Sequence, residues 1–126
     1  MTMYKHKVLT ERIIGLGIGV HRTLGPGLLE SVYTACLCRD LERAGLEFRR
    51  EVPIPVVYRG ETIPLGFRAD IVVSNAVLLE IKAVAAIAPA HIAQILTYLR
   101  MSRLPVGLLM NFHERRMVDG VSRYAV

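Results

Sequence analysis

The sequence has no tryptophan, an aromatic content of only 6%, and two cysteines among its 126 residues. On a helix, Cys36 and Cys38 would lie about 200° apart, since successive residues are rotated by about 100°. Their side chains then point in different directions, which excludes a mutual disulfide and disfavours a shared metal ion. We therefore predict two free thiols, which are typical of an intracellular protein.

Long hydrophobic runs are also missing. A membrane-spanning helix needs about 20 apolar residues, whereas the apolar run at residues 13–20 has eight. Lys5, Lys7 and Arg12 precede this run and give it a faint likeness to a signal peptide. Glu11 interrupts that pattern, and no small-residue cleavage site follows it. We expect a cytoplasmic protein with no membrane segment.

Low-complexity segments are absent as well, and hydrophobic residues make up 52% of the chain against 21% charged residues. A chain of this length and composition can bury a core of its own, so we predict a single domain over residues 1–126. Its formal net charge of +5 favours acidic partners such as nucleic acid. Charge alone does not establish a function.

The glycine run GLGIG at residues 15–19 invites comparison with dinucleotide-binding loops. That fingerprint requires a third glycine where Val20 stands, and it follows a strand, which is not predicted here. Close packing of a helix against a neighbour is the favoured interpretation of these glycines.

Hydrophobic periodicity and turn residues predict alternating blocks of helix and strand. Helices are predicted over residues 10–21, with Thr10 as N-cap, then over 28–44 and 89–103. Strands are predicted over residues 48–58, from 63 to the turn at 74–76, from that turn to Lys82, over 105–112 and over 121–126. Pro53 and Pro55 would leave ladder hydrogen bonds unmade, so the first strand is predicted at an edge. Four arginines are expected near this sheet and could contact phosphates: Arg49, Arg50, Arg59 and Arg68. A solvated edge that guards against aggregation is an equally good interpretation.

The hairpin around residues 74–76 organises the chain. Glu80 and Lys82 stand two residues apart on a strand and therefore project from the same face. Asp70 lies directly opposite Glu80 only if the loop has an odd number of residues, which Ser-Asn-Ala allows. Asn75 tolerates the left-handed conformation that such a loop requires.

Two carboxylates beside an ammonium group have a chemical use. Asp70 and Glu80 can hold Mg²⁺, the carbonyl of Ile81 is a plausible further ligand, and Lys82 can orient the attacking water. The site so formed would hydrolyse phosphodiesters. The alternative is an ordinary surface ion pair between Glu80 and Lys82. Apolar residues on both sides of the pair favour a central strand, where unpaired charge is expensive.

The last helix places four residues on one stripe, and three of them are polar: His91, Gln94 and Tyr98, with Ile95 between. Gln94 can contact a phosphate or a metal-bound water, and Tyr98 can bond a phosphate or stack on a base. His91 is either a phosphate or proton contact or a satisfied polar residue.

The pattern Asp70, Glu80-x-Lys82 and Gln94-x-x-x-Tyr98 resembles the PD-(D/E)XK nuclease superfamily, and its helical part is similar to the signature of RecB-like exonucleases. Residues 27–33 (GLLESVY), with residues 21–26 and 108–112, resemble the bacterial GxxExxY proteins. This resemblance implies a restriction-endonuclease-like α/β core in αβββαβ order, with a mixed central sheet flanked by helices. It also implies a Mg²⁺- or Mn²⁺-dependent nuclease, with DNA favoured over RNA.

The resemblance gives Glu30 two interpretations. Many superfamily members carry an acid on the first core helix that orients a metal-bound water, and Glu30 stands at such a position. The alternative is an ordinary acid in the first turn, stabilised by the helix dipole. Tyr33, one turn later, is expected to be core or hydroxyl-bonded scaffold.

The chain departs from the family pattern at Ala85 and Ile92, where acids are common. Neither position is an expected metal ligand. A competing hypothesis is a non-cleaving nucleic-acid-binding or assembly protein on the same fold, in a defence or mobile-element system. Because the chain is small, a homodimer or a partner protein could help to hold the substrate.

Overall fold

The computed structural model describes residues 6–126. Its helices are α1 (Lys7–Leu24), α2 (Glu30–Arg43) and α3 (Pro89–Ser102). Its strands are β1 (Phe48–Tyr58), β2 (Glu61–Val73), β3 (Val77–Lys82), β4 (Val106–Asn111) and β5 (Val121–Tyr124). A short 3-10 helix, Met117–Gly120, precedes β5.

The five strands form one mixed sheet in the order β1-β2-β3-β4-β5. β3 and β4 are parallel and are joined by the crossover helix α3, while the other neighbouring pairs are antiparallel. The sequence of α2, β1, β2, β3, α3 and β4 is the predicted αβββαβ order, and it confirms the predicted fold class. α1 precedes this core and β5 follows it.

Helices cover both faces of the sheet. α1 and α2 pack on one face against Ile71, Leu79 and Ile81, and α3 packs on the other against Val72 and Leu78. Successive residues of a strand point to opposite faces, so Glu80 and Lys82 share the face of Leu78, beneath α3. β3 is therefore the central strand that its apolar flanks predict.

β1 lies at an edge of the sheet, as its two prolines predict. Its pairing with β2 is interrupted between Ile54 and Val56. The Arg49 guanidinium donates to the Asn75 side chain at 3.5 Å. This hydrogen bond joins the exposed edge to the hairpin loop, and both interpretations of the edge arginines stay predictions.

One glycine of the GLGIG run has the predicted packing role. A Cβ atom at Gly17 would collide with the side chain of Met110 on β4, whereas Gly15 and Gly19 have no atom within 4 Å of that position. A side chain at position 17 would therefore force the flexible end of Met110 to move, so Gly17 makes room for Met110 where α1 crosses β4.

The predicted start of α1 was wrong. Thr10 lies inside the helix, where its hydroxyl donates to the carbonyl of Lys7 at 3.0 Å, and the N-cap position belongs to His6. α1 also continues past His21 to Leu24, and α2 begins at Glu30 rather than at Leu28. Leu29 is extended, which delays the second helix. Gly45, with φ of 73°, ends it as predicted.

The cysteine prediction is confirmed, since Cys36 and Cys38 are both free. Burial raises the pKa of the Cys38 thiol. A raised pKa disfavours the reactive thiolate.

Within residues 6–126, no helix has the length and apolar character needed to cross a membrane.

Candidate active site

The hairpin between β2 and β3 has the predicted three-residue loop. Val73 pairs with Val77, and the loop residues Ser74 and Asn75 adopt left-handed conformations with φ of 52° and 50°. The register continues to Ile71 opposite Leu79. Its next step places Asp70 opposite Glu80, as the odd loop length predicts.

The Asp70 carboxylate is fixed on the neighbouring strand. Its Oδ2 accepts a hydrogen bond from the backbone N–H of Ile81 at 2.7 Å. In an extended strand, the N–H and C=O of one residue point to the same side. The Ile81 carbonyl therefore faces the Asp70 side of β3, where it was predicted to serve as a ligand.

Glu80 is a buried acid, with only 4% of its surface exposed. Its Oε1 atom is the one buried side-chain polar atom without a hydrogen-bond partner among residues 6–126. A buried polar atom left unpaired is costly, and native proteins contain few of them. Glu80 therefore has an unmet need for a proton, a donor or a cation.

Burial raises the pKa of both carboxyl groups. Burial, followed by the negative charge of Asp70, raises the pKa of Glu80 to about 8. Burial also raises the pKa of Asp70, although the Ile81 N–H acts in the opposite direction. A positive ion between the two groups would reverse both effects, because it favours the charged forms.

A chain of hydrogen bonds links Lys82 to α3. The Lys82 Nζ donates to the Gln94 side-chain oxygen at 3.3 Å, and the Gln94 Nε2 donates to the Tyr98 hydroxyl at 3.0 Å. Burial, and then the charge of Glu80, raises the pKa of Tyr98. Lys82, Gln94 and Tyr98 thus lie together beside the acid pair, as the sequence predicts.

The sequence model of the PD-(D/E)XK nuclease superfamily matches residues 7–124. The chain belongs to this superfamily. Separate comparisons with curated proteins and with solved structures found no match. The match covers α1 through β5 and therefore includes every predicted site residue.

In this PD-(D/E)XK protein, Glu30 lies beside the acid pair. Its Oε2 accepts a hydrogen bond from the Ala83 N–H at 3.2 Å, directly after Lys82. Its negative charge also contributes to the raised pKa of Asp70. The contact joins the start of α2 to the end of β3, and the water-orienting role of Glu30 stays a prediction.

Tyr33 is scaffold, as expected. The buried hydroxyl donates to the Gly25 carbonyl at 2.6 Å and accepts from the Leu28 N–H at 3.1 Å. Its ring stacks on Phe112 with 4.5 Å between centroids. These contacts fix the α1–α2 loop against the end of β4, and with it the position of Glu30.

His91 helps to begin α3. The ring Nδ1 of His91 accepts a hydrogen bond from the Ala88 N–H at 3.0 Å, and the backbone N–H of His91 donates to the Ala88 carbonyl at 2.9 Å. The ring thus caps the helix through Nδ1, as a satisfied polar residue does. Nε2 is the ring atom left for the predicted substrate contact.

The superfamily implies a divalent metal, and the side chains present fit one. No cluster of three or more His, Cys, Asp or Glu residues suited to a metal occurs in the described part of the chain. Mg²⁺ does not require one, because it commonly takes one or two carboxylates and completes its shell with water and phosphate oxygens. The buried and unpaired Oε1 of Glu80 is the observation that supports this fit.

Asn111 is a structural residue that the sequence reasoning missed. It is fully buried, and its Oδ1 accepts the N–H groups of Val84 and His113 at 3.1 and 3.2 Å. Its Nδ2 donates to the Val84 carbonyl at 3.0 Å. Asn111 therefore holds the chain that leaves Lys82. A lone amide at the end of an apolar strand was the available signal.

Phe67 was also missed. It is 43% exposed, and its ring lies 5.2 Å from that of Tyr98. An exposed aromatic ring beside the site can stack on a base. Nothing in the local sequence indicated this position, because it depends on how β2 runs past α3.

Proposed function

We propose that this PD-(D/E)XK protein is a metal-dependent nuclease that hydrolyses phosphodiester bonds, with DNA as the favoured substrate. The observation that carries the proposal is Glu80, a buried acid with an unpaired oxygen, placed opposite Asp70 and beside Lys82. A charged trio of this kind is costly inside a sheet unless a ligand uses it.

Asp70, Glu80 and the Ile81 carbonyl would hold Mg²⁺ or Mn²⁺. When bound, the ion supplies Lewis acidity toward a phosphoryl oxygen and offsets negative charge there. Asp70 is ready to take part because its hydrogen bond to the Ile81 N–H fixes the carboxylate on β3. The repulsion between the two acids favours the same ligand.

Lys82 would position the attacking water and screen charge on the phosphate. Its ammonium group lies on the same face as Glu80 and is held by the Gln94 oxygen. Gln94 is oriented in turn by the Tyr98 hydroxyl. We assign Gln94 a positioning role through Lys82, and Tyr98 a role in holding Gln94 and contacting the strand.

Three further residues would contact the substrate or its water. Glu30 lies at the start of α2, where one oxygen is bonded to Ala83 and the other can orient water. The His91 Nε2 would contact a phosphate. The exposed ring of Phe67 would stack on a base beside Tyr98.

Residues 27–33 support a finer assignment to the GxxExxY proteins. In this motif the glycine has φ of 105°, Glu30 contacts the end of β3, and Tyr33 fixes the loop. Each of these motif residues thus has a distinct structural role.

The free cysteines support a cytoplasmic location. A second copy or a partner protein would help to hold nucleic acid on so small a surface.

The test is cleavage of end-labelled single- and double-stranded DNA and RNA with Mg²⁺, with Mn²⁺ or with EDTA. Asp70→Asn keeps an oxygen that can accept the Ile81 N–H, so it should fold and yet fail to cleave. Asp40→Asn is the matched control, since Asp40 pairs with Arg43 on α2, away from the site. We expect metal-dependent cleavage by the wild type and by the control.

Equal cleavage by Asp70→Asn would contradict the site. Binding of nucleic acid by the wild type without cleavage, under every metal condition, would instead support a non-cleaving protein on this fold.

A further inference from the structure

A concave pocket of about 550 Å³ lies between the end of α1 and the segment that follows β4. It is separate from the acid pair. Its lining is basic: Arg22 comes from α1, and Arg115 and Arg116 come from the segment after β4. No acidic side chain is part of this lining among the described residues.

The three guanidinium groups are free to bind a ligand. Within residues 6–126, none of them forms an ion pair or a hydrogen bond with the rest of the chain, and all three side chains are exposed. Like charges placed together repel one another. An anion in the pocket would relieve that repulsion, and guanidinium forks match phosphate oxygens geometrically.

A buried histidine fixes the two halves of the pocket to each other. The Nε2 of His21 forms a hydrogen bond of 2.7 Å with the Glu114 carbonyl, directly before Arg115. His21 is only 8% exposed and its ring lies near Phe112. Arg22 follows His21 on α1, so this contact holds Arg22 close to Arg115.

The pocket lies at the same end of the sheet as the candidate active site, where the parallel strands finish. Lys82 and Asn111 are paired at the carboxyl ends of the parallel strands β3 and β4. The Phe112 N–H donates to the Lys82 carbonyl at 2.8 Å, and Arg115 follows three residues later. The pocket and Lys82 therefore share this end of the sheet, so a nucleic-acid strand bound at Lys82 and extending toward α1 would approach the arginines.

We propose that Arg22, Arg115 and Arg116 bind a backbone phosphate of the substrate strand, outside the position that is cleaved. The proposal rests on the proposed nuclease function, because it takes nucleic acid as the ligand. A pocket of this kind fixes the direction and register of the strand without reading its bases.

The test is binding of a fluorescent single-stranded DNA oligonucleotide in EDTA, where no cleavage occurs, over a range of salt concentrations. Arg115→Gln/Arg116→Gln should bind about tenfold more weakly, with a salt slope smaller by about 1 to 2. Arg22→Gln should show a smaller loss in the same direction. Thermal unfolding checks that these exposed substitutions leave the fold intact.

Arg100→Gln/Arg103→Gln is the matched control. This double substitution removes the same charge from the end of α3. That helix end leads into the amino end of β4, so the control lies at the opposite end of the strands from the pocket. We expect this control to bind nearly as the wild type does. Equal effects of the two double substitutions would overturn the pocket, because they would reflect net charge alone.

Two further measurements separate the possible outcomes. Calorimetric titration of inorganic phosphate tests for a free anion, and phosphate binding lost in Arg115→Gln/Arg116→Gln with unchanged oligonucleotide binding would overturn the strand assignment. Cleavage by the wild type is scored independently. If Arg115→Gln/Arg116→Gln binds the oligonucleotide more weakly, the phosphate-binding role of the pocket is supported even when the wild type does not cleave. If the wild type cleaves but the variant binds as tightly as the wild type, the phosphate-binding role is overturned and the nuclease function stands.

Discussion

The carboxylate of Asp70 accepts the backbone N–H of Ile81 at 2.7 Å, beyond the last backbone pair between Ile71 and Leu79. At this point the Ile81 N–H of β3 donates to a carboxylate side chain of β2 instead of to a backbone carbonyl. This exchange places Asp70 against Glu80 and leaves the Ile81 carbonyl on the same side.

The raised pKa of Glu80 predicts a pH-dependent stability without metal. From its ordinary value of 4.5 up to about 8, the folded protein holds a proton that the unfolded chain releases. The free energy of unfolding should therefore fall as pH rises through this window and level off above it. The free energy of unfolding of Glu80→Gln should lack this pH-dependent component. At pH 9 it should exceed that of the wild type by a few kcal/mol.

Urea unfolding in EDTA at pH 5 and pH 9 measures this difference. The comparison of the two proteins removes the contribution of the other titrating groups. A pH dependence that is identical in wild type and Glu80→Gln would show that Glu80 titrates normally.

Lys82 and Gln94 should affect turnover rather than metal binding. Lys82→Ala should lower kcat by about 10²- to 10³-fold, the usual range for loss of one group that stabilises charge at the reacting centre. Gln94→Ala should cause a smaller loss in kcat, since it only releases the ammonium group that Gln94 holds at 3.3 Å.

The metal affinity of both variants should be measured at alkaline pH, because the charge of Lys82 lowers the pKa of Glu80. Wild-type turnover in Lys82→Ala would remove this residue from the mechanism. A loss of metal affinity in Gln94→Ala at alkaline pH would show that it acts on the ion instead of on Lys82.

Much of the fold follows from local patterns. Apolar alternation, Pro53 and Gly45 located the strands, the edge and a helix end, and the odd loop length placed Asp70 opposite Glu80. These rules act within a few residues of the chain. The left-handed cap at His6 gave no such signal, while Thr10 offered a misleading one.

The remainder depends on contacts between distant segments. His21 meets Glu114 across 93 residues, and Asn111 meets Val84 across 27. The Phe67 ring lies 5.2 Å from that of Tyr98, which is 31 residues later in the chain. No spacing along the sequence encodes such encounters, which arise from packing.

Asn111 should be important for stability. Asn111→Ala removes three hydrogen bonds and leaves the N–H and carbonyl of Val84 without this partner. We expect a loss of about 2 to 4 kcal/mol in the free energy of unfolding. Urea denaturation measures this loss. The control is Thr34→Ala, which removes a single hydrogen bond at a half-buried position of α2. A loss no larger than that of the control would contradict the structural role of Asn111.

Tyr33→Phe should destabilise the α1–α2 loop while leaving the ring stack on Phe112 in place. The variant leaves the Gly25 carbonyl and the Leu28 N–H without this hydrogen-bond partner. We expect the free energy of unfolding to fall by about 1 to 3 kcal/mol. Tyr58→Phe is the same change at a tyrosine that is 57% exposed, and it should cost little. Equal unfolding midpoints for the two variants would show that the Tyr33 hydroxyl holds nothing.

The most direct measurement of the central claim is calorimetric titration of Mn²⁺ into the wild type, Asp70→Asn and Asp40→Asn at pH 9, with uncleavable nucleic acid present and absent. The account predicts saturable binding by the wild type and by Asp40→Asn, and loss of that binding in Asp70→Asn. Equal binding by all three proteins would place the metal elsewhere. No binding by the wild type, even with nucleic acid, would contradict a metal site at Asp70 and Glu80.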